Sequence, residues 1–227
     1  MLRAVIFDFN GIIVDDEPIH FELLRRVLDE EGIILTEEEY YARYLGFDDR
    51  GAFTAAYREH AQPLRQPKLD ELIERKAAYY QEDIKTKMKV FPGVEGLIRL
   101  LARKLPLAIA SGALKNEIQM ILSSIGLLNA FRAIVSAEDV SRGKPEPEIF
   151  VKALAQLNTS LNGEPAIGAG ECLVIEDSKE GIRGARHAGM KCLAVTNSHP
   201  RELLAEADSI IDSLEGVSLP QLEAICS

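Results

Sequence analysis

The stretch Ala4-Val5-Ile6-Phe7-Asp8-Phe9-Asn10-Gly11 constrains the fold of this chain more than any other. Ala4 to Phe7 is apolar without polar alternation and rich in β-branched and aromatic side chains, the pattern of a strand buried on both faces of a parallel sheet. Asp8 then falls at the strand's carboxyl end, the edge where open α/β sheets bind ligands, and Gly11 lets the chain turn after it. A carboxylate placed there is a candidate reactive group, although a helix N-cap or a loop aspartate looks the same in sequence.

Beyond residue 90 the chain alternates between strand-like and helical stretches. Leu105–Ala110, Ala133–Val135, Leu173–Ile175, Cys192–Val195 and Ser209–Ile211 read as strands. Val94–Arg103, Lys115–Ser124, Pro147–Gln156 and Lys179–Ala188 read as helices. This order predicts an α/β fold, a doubly wound parallel sheet of Rossmann type with helices on both faces.

Residues 16–89 break the alternation. Pro18 suits a first helical turn, and Phe21, Leu24, Val27 and Leu28 recur at helical spacing, so a helix is expected over Glu17–Glu31. Thr36-Glu37-Glu38-Glu39 matches a capping box for a second helix that Gly46 ends. A third helix is expected over Arg50–His60, a loop over Ala61–Lys68 because of Pro63 and Pro67, and a fourth helix over Leu69–Lys87. Tyr40, Tyr41, Tyr44, Tyr79 and Tyr80 are expected to pack such a bundle. The expected organisation is therefore an α/β core of residues 1–15 and 90–227, with an all-helical cap of residues 16–89 inserted after the first strand.

Composition narrows the function. With 26 basic against 36 acidic residues the net charge is −10, which argues against nucleic acid as a partner. No apolar stretch approaches the roughly 20 residues a membrane span needs, and Asp8 interrupts the N-terminal run too early for a signal peptide. A soluble cytoplasmic protein is expected, with a monomer favoured. The three cysteines, Cys172, Cys192 and Cys226, are scattered and expected to be reduced, the first two as small core residues.

Further candidates lie at the strand-to-helix junctions. Ser111 follows Ala108-Ile109-Ala110 and precedes Gly112; it can offer its hydroxyl and nearby N–H groups to phosphate oxygens, or simply cap a helix. Lys144 sits in Arg142-Gly143-Lys144-Pro145-Glu146-Pro147, where glycine and two prolines fix the loop. Glu176-Asp177 follows Leu173-Val174-Ile175. Together with Asp8, the pair offers hard oxygen ligands that suit Mg²⁺.

In this order, Asp8, Ser111, Lys144 and Glu176-Asp177 resemble the four motifs of the haloacid dehalogenase-like hydrolase superfamily. The likeness runs over nearly the whole chain and is closest to the β-phosphoglucomutase-like and phosphoglycolate phosphatase-like proteins, whose helical cap follows the first motif. It implies phosphoryl transfer from a small phosphorylated metabolite, with Asp8 as nucleophile forming an aspartyl-phosphate. It also implies Mg²⁺ held by Asp8, Glu176, Asp177 and the backbone carbonyl of Asn10. Lys144 would balance the charge of the nucleophile and the transferring group, and Ser111, Gly112 and Asn116 would contact substrate. In the cap, Gly46-Phe47-Asp48-Asp49-Arg50 lies where the subfamily has its specificity loop; Arg50 or Lys76 could clamp a second end of the substrate, or both could be surface charges.

Asn10 departs from the pattern. The family usually has an aspartate there that protonates the leaving oxygen and then activates water, and an amide can do neither. Three readings stay open: an engineered change that traps a complex, a natural enzyme whose proton shuttle comes from elsewhere, or a protein that binds phosphate esters and hardly turns them over. Asp15 and His20 are the nearest candidates for such a shuttle. Hydrolysis is the leading expected reaction and a sugar-phosphate mutase the alternative. Dehalogenation is disfavoured, because that chemistry does not need the acidic pair.

Overall fold

The computed structural model describes the whole chain apart from Leu45, Gly46, Asp48, Asn162 and Ser227, and all side chains of the rest apart from those of residues 81 and 84–87. The chain divides into two compact units, one of Met1–Asp15 with Val90–Ser227 and the other of Asp16–Lys89.

The first unit is built on a six-stranded sheet with β1 (Ala4–Phe7) at its centre. The other strands are β4 (Leu107–Ala110), β5 (Ala133–Val135), β6 (Cys172–Glu176), β7 (Lys191–Val195) and β8 (Ser209–Ile211). The order is β5-β4-β1-β6-β7-β8 and every pairing is parallel. Phe7 lies opposite Ile109 of β4 and Ile175 of β6, so the ends of these three strands are level. The chain passes from β1 to β4 and β5 on one side, then returns to β6 on the other. The strand order reverses at β1, and such a reversal opens a ligand crevice at the carboxyl ends.

Among the described residues the α-helices of this unit are α5 (Val94–Leu101), α6 (Lys115–Ser124), α7 (Glu148–Thr159), α8 (Lys179–His187) and α9 (Leu219–Ile225). Alternation along the strands divides the sheet into two unlike faces. One carries Ala4, Ile6, Ala108, Ala110, Ala133, Val135, Cys172, Val174, Cys192 and Ala194, which form one core with Ile149, Phe150, Ala153 and Leu157 of α7 and Ile182 and Ala185 of α8. The small side chains admit both helices closely, and Phe150 fills the space beside Gly184, where a Cβ would lie 2.9 Å from its ring. The opposite face carries the bulkier Val5, Phe7, Leu107, Ile109, Leu173, Ile175, Leu193 and Val195, all buried.

The second unit comprises α1 (Glu17–Glu30), α2 (Glu37–Arg43), α3 (Asp49–Glu59) and α4 (Gln66–Lys87). Its core joins Phe21, Leu24, Val27 and Leu28 of α1 to Tyr40, Phe53, Tyr57 and Leu72. Thr36 caps α2 as the sequence pattern requires: its hydroxyl accepts from the Glu39 N–H at 3.2 Å, and the Glu39 carboxylate accepts from the Thr36 N–H at 3.1 Å. Two-residue strands, β2 (Val14–Asp15) and β3 (Lys89–Val90), lie where the chain leaves and re-enters the first unit. There the Phe91 N–H donates to the Ile13 carbonyl at 3.1 Å.

Several expectations need correction. The helix placed over Leu69–Lys87 begins earlier, at Gln66, because Pro67 occupies its first turn, where a missing N–H costs nothing. Helix α9 was not anticipated, although Ser218 forms a capping box with Gln221 and Pro220 lies in the first turn. Tyr41 packs against the bundle as expected, its ring 5.3 Å from that of Tyr40 and 6.4 Å from that of Phe21, although it is 41% exposed, unlike the buried Tyr40, Tyr44 and Tyr80. The proposed end of α2 at Gly46, and Gly46 and Asp48 of the expected specificity loop, lie outside the described residues. All three cysteines are buried and free. Among the described residues, no helix is long and apolar enough to cross a membrane.

Candidate active site

Asp8 follows β1, Ser111 follows β4, and Glu176 ends β6 with Asp177 next to it, so three adjacent strands deliver these groups to one edge. Lys144 arrives from the loop preceding α7. Its Nζ lies 2.6 Å from Glu176 Oε1 and 2.9 Å from Asp8 Oδ1, bridging carboxylates that come from neighbouring strands. The loop itself is pinned by Glu148, whose carboxylate accepts from the Ser141 N–H at 3.1 Å and the Arg142 N–H at 3.1 Å.

Each carboxylate is set by its own turn. Asp8 Oδ1 accepts from the Phe9 N–H at 2.7 Å. Glu176 Oε2 accepts from the Asp177 N–H at 2.8 Å, the Ser178 N–H at 2.7 Å and the Ser178 hydroxyl at 2.9 Å. With Lys144 on Oε1, both oxygens of the fully buried Glu176 are engaged. Two glycines make room: a Cβ on Gly181 would overlap the Glu176 carboxylate, and one on Gly11 would overlap that of Asp177. Gly11 also has φ +76°, a conformation that glycine adopts at no steric cost.

The electrostatics follow from burial. Burial pushes Asp8 up to about 7 in spite of Lys144 beside it. Burial, with Glu176 and Asp8 close by, holds Asp177 well above the usual carboxylate range. Burial would raise Glu176 too, but Lys144 and the Ser178 donors outweigh it and keep the group below its ordinary value. Lys144 stays a cation, because its two carboxylates more than offset the cost of burying it.

Oxygens of Asp8, Glu176 and Asp177 lie within 4.8 Å of one another. One lysine does not balance three carboxylates, and burial together with the neighbouring carboxylates makes Asp8 and Asp177 take up protons more readily than usual. An all-oxygen, buried, under-neutralised donor set fits a hard divalent cation such as Mg²⁺.

The remaining sequence candidates are placed as follows. Ser111 is buried at the same edge, and its Oγ accepts from the Ala113 N–H at 3.1 Å. Gly112 is exposed beside it. Asn116 is exposed on the first turn of α6, where its Oδ1 accepts from the Glu117 N–H at 2.8 Å. Asn10 sits in the turn after Asp8, in a bridge to Val14. In the helical unit, Arg50 is paired with Asp70 at 3.2 Å on the surface. Lys76 is not a surface charge: it is 3% exposed, and its Nζ contacts Asp49 and, at 2.9 Å, His20 Nδ1. His20 Nε2 in turn lies 3.2 Å from Asp16 Oδ2, to which the Tyr80 hydroxyl donates at 2.9 Å.

The loop after β7 escaped the sequence reading. Asn197 Nδ2 donates to the Gly11 carbonyl at 2.6 Å, the Ser198 hydroxyl donates to Asp177 Oδ2, and His199 Nδ1 lies 3.2 Å from the Asp177 carbonyl. Thr196-Asn197-Ser198-His199 reads as an ordinary polar turn; only the position of β7 beside β6 gives it a role.

Residues 5–195 match the haloacid dehalogenase-like hydrolases, and the chain belongs to that family. Among its relatives, the validoxylamine A 7'-phosphate phosphatase of Streptomyces hygroscopicus subsp. limoneus is 29% identical over 223 residues, covering 98% of this chain and 99% of that protein. The phosphorylated carbohydrates phosphatase of Thermotoga maritima is 31% identical over 193 residues, 84% of this chain and 83% of that protein. The crystal structure of CbbY from Rhodobacter sphaeroides in complex with phosphate has the same fold, with a TM-score of 0.80 at 21% identity over 98% of this chain and 100% of that one.

Proposed function

We propose that this chain is a Mg²⁺-dependent phosphatase acting on a small phosphate monoester of the sugar-phosphate class through an aspartyl-phosphate on Asp8. The observation that carries this reading is the buried constellation of Asp8, Lys144, Glu176 and Asp177 at the carboxyl edge of three adjacent strands. The names of two relatives, phosphatases for validoxylamine A 7'-phosphate and for phosphorylated carbohydrates, support the substrate class.

The Phe9 N–H and Lys144 both engage Asp8 Oδ1, so Oδ2 is the oxygen assigned to attack phosphorus. The P–O bond of the ester breaks as the aspartyl P–O bond forms, and the leaving oxygen takes a proton. Water then attacks the same phosphorus, releasing inorganic phosphate and restoring the carboxylate. Lys144 holds positive charge beside both steps. Ser111 has one lone pair committed to the Ala113 N–H, so its hydroxyl proton is the group offered to a phosphate oxygen. Mg²⁺, when held by Asp8, Glu176, Asp177 and the backbone carbonyl of Asn10, neutralises the anionic substrate against the carboxylates. The Asn10 amide cannot carry protons, so these are exchanged with another group or with solvent, and turnover is slow for the fold.

The test is inorganic phosphate release from a panel of sugar phosphates and phosphoglycolate, with Mg²⁺ and with EDTA. Asp8→Ala is run beside the parent. Release that needs Mg²⁺ and Asp8 is the expected result. Release by Asp8→Ala at the parent's rate would remove the nucleophile from its role, and isomerised sugar phosphate without free phosphate would make the protein a mutase.

A further inference from the structure

Loops after β1, β6 and β7 meet beside the acidic cluster, and Asn197, Ser198 and His199 of the third tie it to the other two. Asn197 holds the Gly11 carbonyl at 2.6 Å. Ser198 and His199, adjacent in sequence, take the two ends of Asp177: the hydroxyl donates to the carboxylate, and the imidazole Nδ1 lies 3.2 Å from the main-chain carbonyl. Gly11 closes the arrangement, since its missing Cβ is the space that the Asp177 carboxylate fills.

This matters because the terminal torsion of an aspartate is broad, so a carboxylate reached only through its own backbone has no fixed plane. A donor at one oxygen selects a plane and turns the other oxygen in a set direction. Glu176 is fixed by four donors and Asp8 by two, whereas the donor identified for the Asp177 side chain is Ser198. Groups that orient a ligand in this way typically contribute 10- to 100-fold to metal affinity.

We propose that Ser198, on a loop anchored by Asn197, is a positioning residue that aims the Asp177 carboxylate at the divalent cation and so sets the affinity for it; the inference rests on the metal-dependent reading above. Ser198 touches neither the substrate nor the reacting atoms in this role. It acts through Asp177 alone, which separates its effect on metal loading from any effect on chemistry.

The experiment is a titration of the full-length, EDTA-stripped protein with Mn²⁺, following the free ion by electron paramagnetic resonance. Ser198→Ala, Ser198→Thr and Ser198→Val are compared with the parent. Thr and Val have the same shape and differ by the hydroxyl, so a folding defect caused by volume appears in both. The expected result is a Kd raised about 10-fold or more in Ala and Val, and within about threefold of the parent in Thr. Unchanged affinity in Ala and Val overturns the inference while leaving the phosphatase reading intact, and equal weakening in Thr and Val overturns it as a volume effect. A parent that binds no Mn²⁺ overturns both.

Discussion

Replacing Lys144 by methionine removes the one cation that Glu176 and Asp8 share while keeping the side chain's length. Glu176 is 0% exposed, and without the lysine the three donors on Oε2 are left to offset that burial alone, so Oε1, which the lysine vacates, takes up a proton. For a glutamate of ordinary value 4.5, protonation costs about 1.36 kcal/mol for each pH unit above that value. The penalty is therefore about 3 kcal/mol at pH 7 and under ~1 kcal/mol at pH 5, the former matching the ~3–5 kcal/mol typical of breaking a buried pair. Asp8 adds little, because burial has already lifted it to about 7 and it accepts a proton readily near neutrality. The sign is that of a group raised in the folded state: stability is retained at low pH and lost as pH climbs above the unfolded value. Urea unfolding of parent and Lys144→Met in EDTA, at pH 5 and pH 7, measures it. A loss of equal size at both values, or of less than ~1 kcal/mol at pH 7, would refute the reasoning.

Asn10→Asp supplies a carboxylate able to move protons and is expected to raise kcat by about 10² or more with little change in affinity for tungstate; equal turnover would mean that another group already does this work. The metal-free parent should lose thermal stability as pH rises from about 4 to about 7, because Asp8, raised from 3.8 to about 7, and Asp177 both hold protons more tightly in the folded state. Saturating Mg²⁺ should flatten that dependence, and calorimetry with and without EDTA checks both. Gly181→Ala would be stabilising by up to ~1 kcal/mol on helix propensity alone. The Glu176 carboxylate stands where the methyl group would go, so a net loss of about 1 kcal/mol is expected in a denaturant titration.

The parallel sheet was legible because each strand is a short apolar run closed by a turn, and Asp8, Ser111 and Glu176 were legible because they end such runs. Lys144 stands out by its place in the order of the family's motifs, with its Gly and Pro neighbours in support, and not by its charge. Strand order is another matter: nothing in the run Lys191–Val195 says that it lies beside β6, so the approach of Ser198 to Asp177 had no local signature. Lys76 was read equally as a clamp or a surface charge, because its burial depends on Asp49 and His20, residues far off in sequence that supply its partners. Pro67 misled for a local reason, since proline ends a loop and begins a helix with the same residue.

The central place of β1 has a consequence for how the chain acquires its shape. Ala4–Phe7 are made long before their partners in the sheet, Leu107–Ile109 on one side and Cys172–Ile175 on the other. During synthesis this strand must therefore wait for most of the chain, an apolar segment with both hydrogen-bonding edges bare and prone to pair with another copy. The residues made in the interval are those of α1 to α4, whose contacts are local and form quickly. The helical unit is expected to be folded before β1 has a neighbour, so mutations that slow the closing of the sheet should appear first as aggregation in the cell and only secondarily as lost stability of the finished protein.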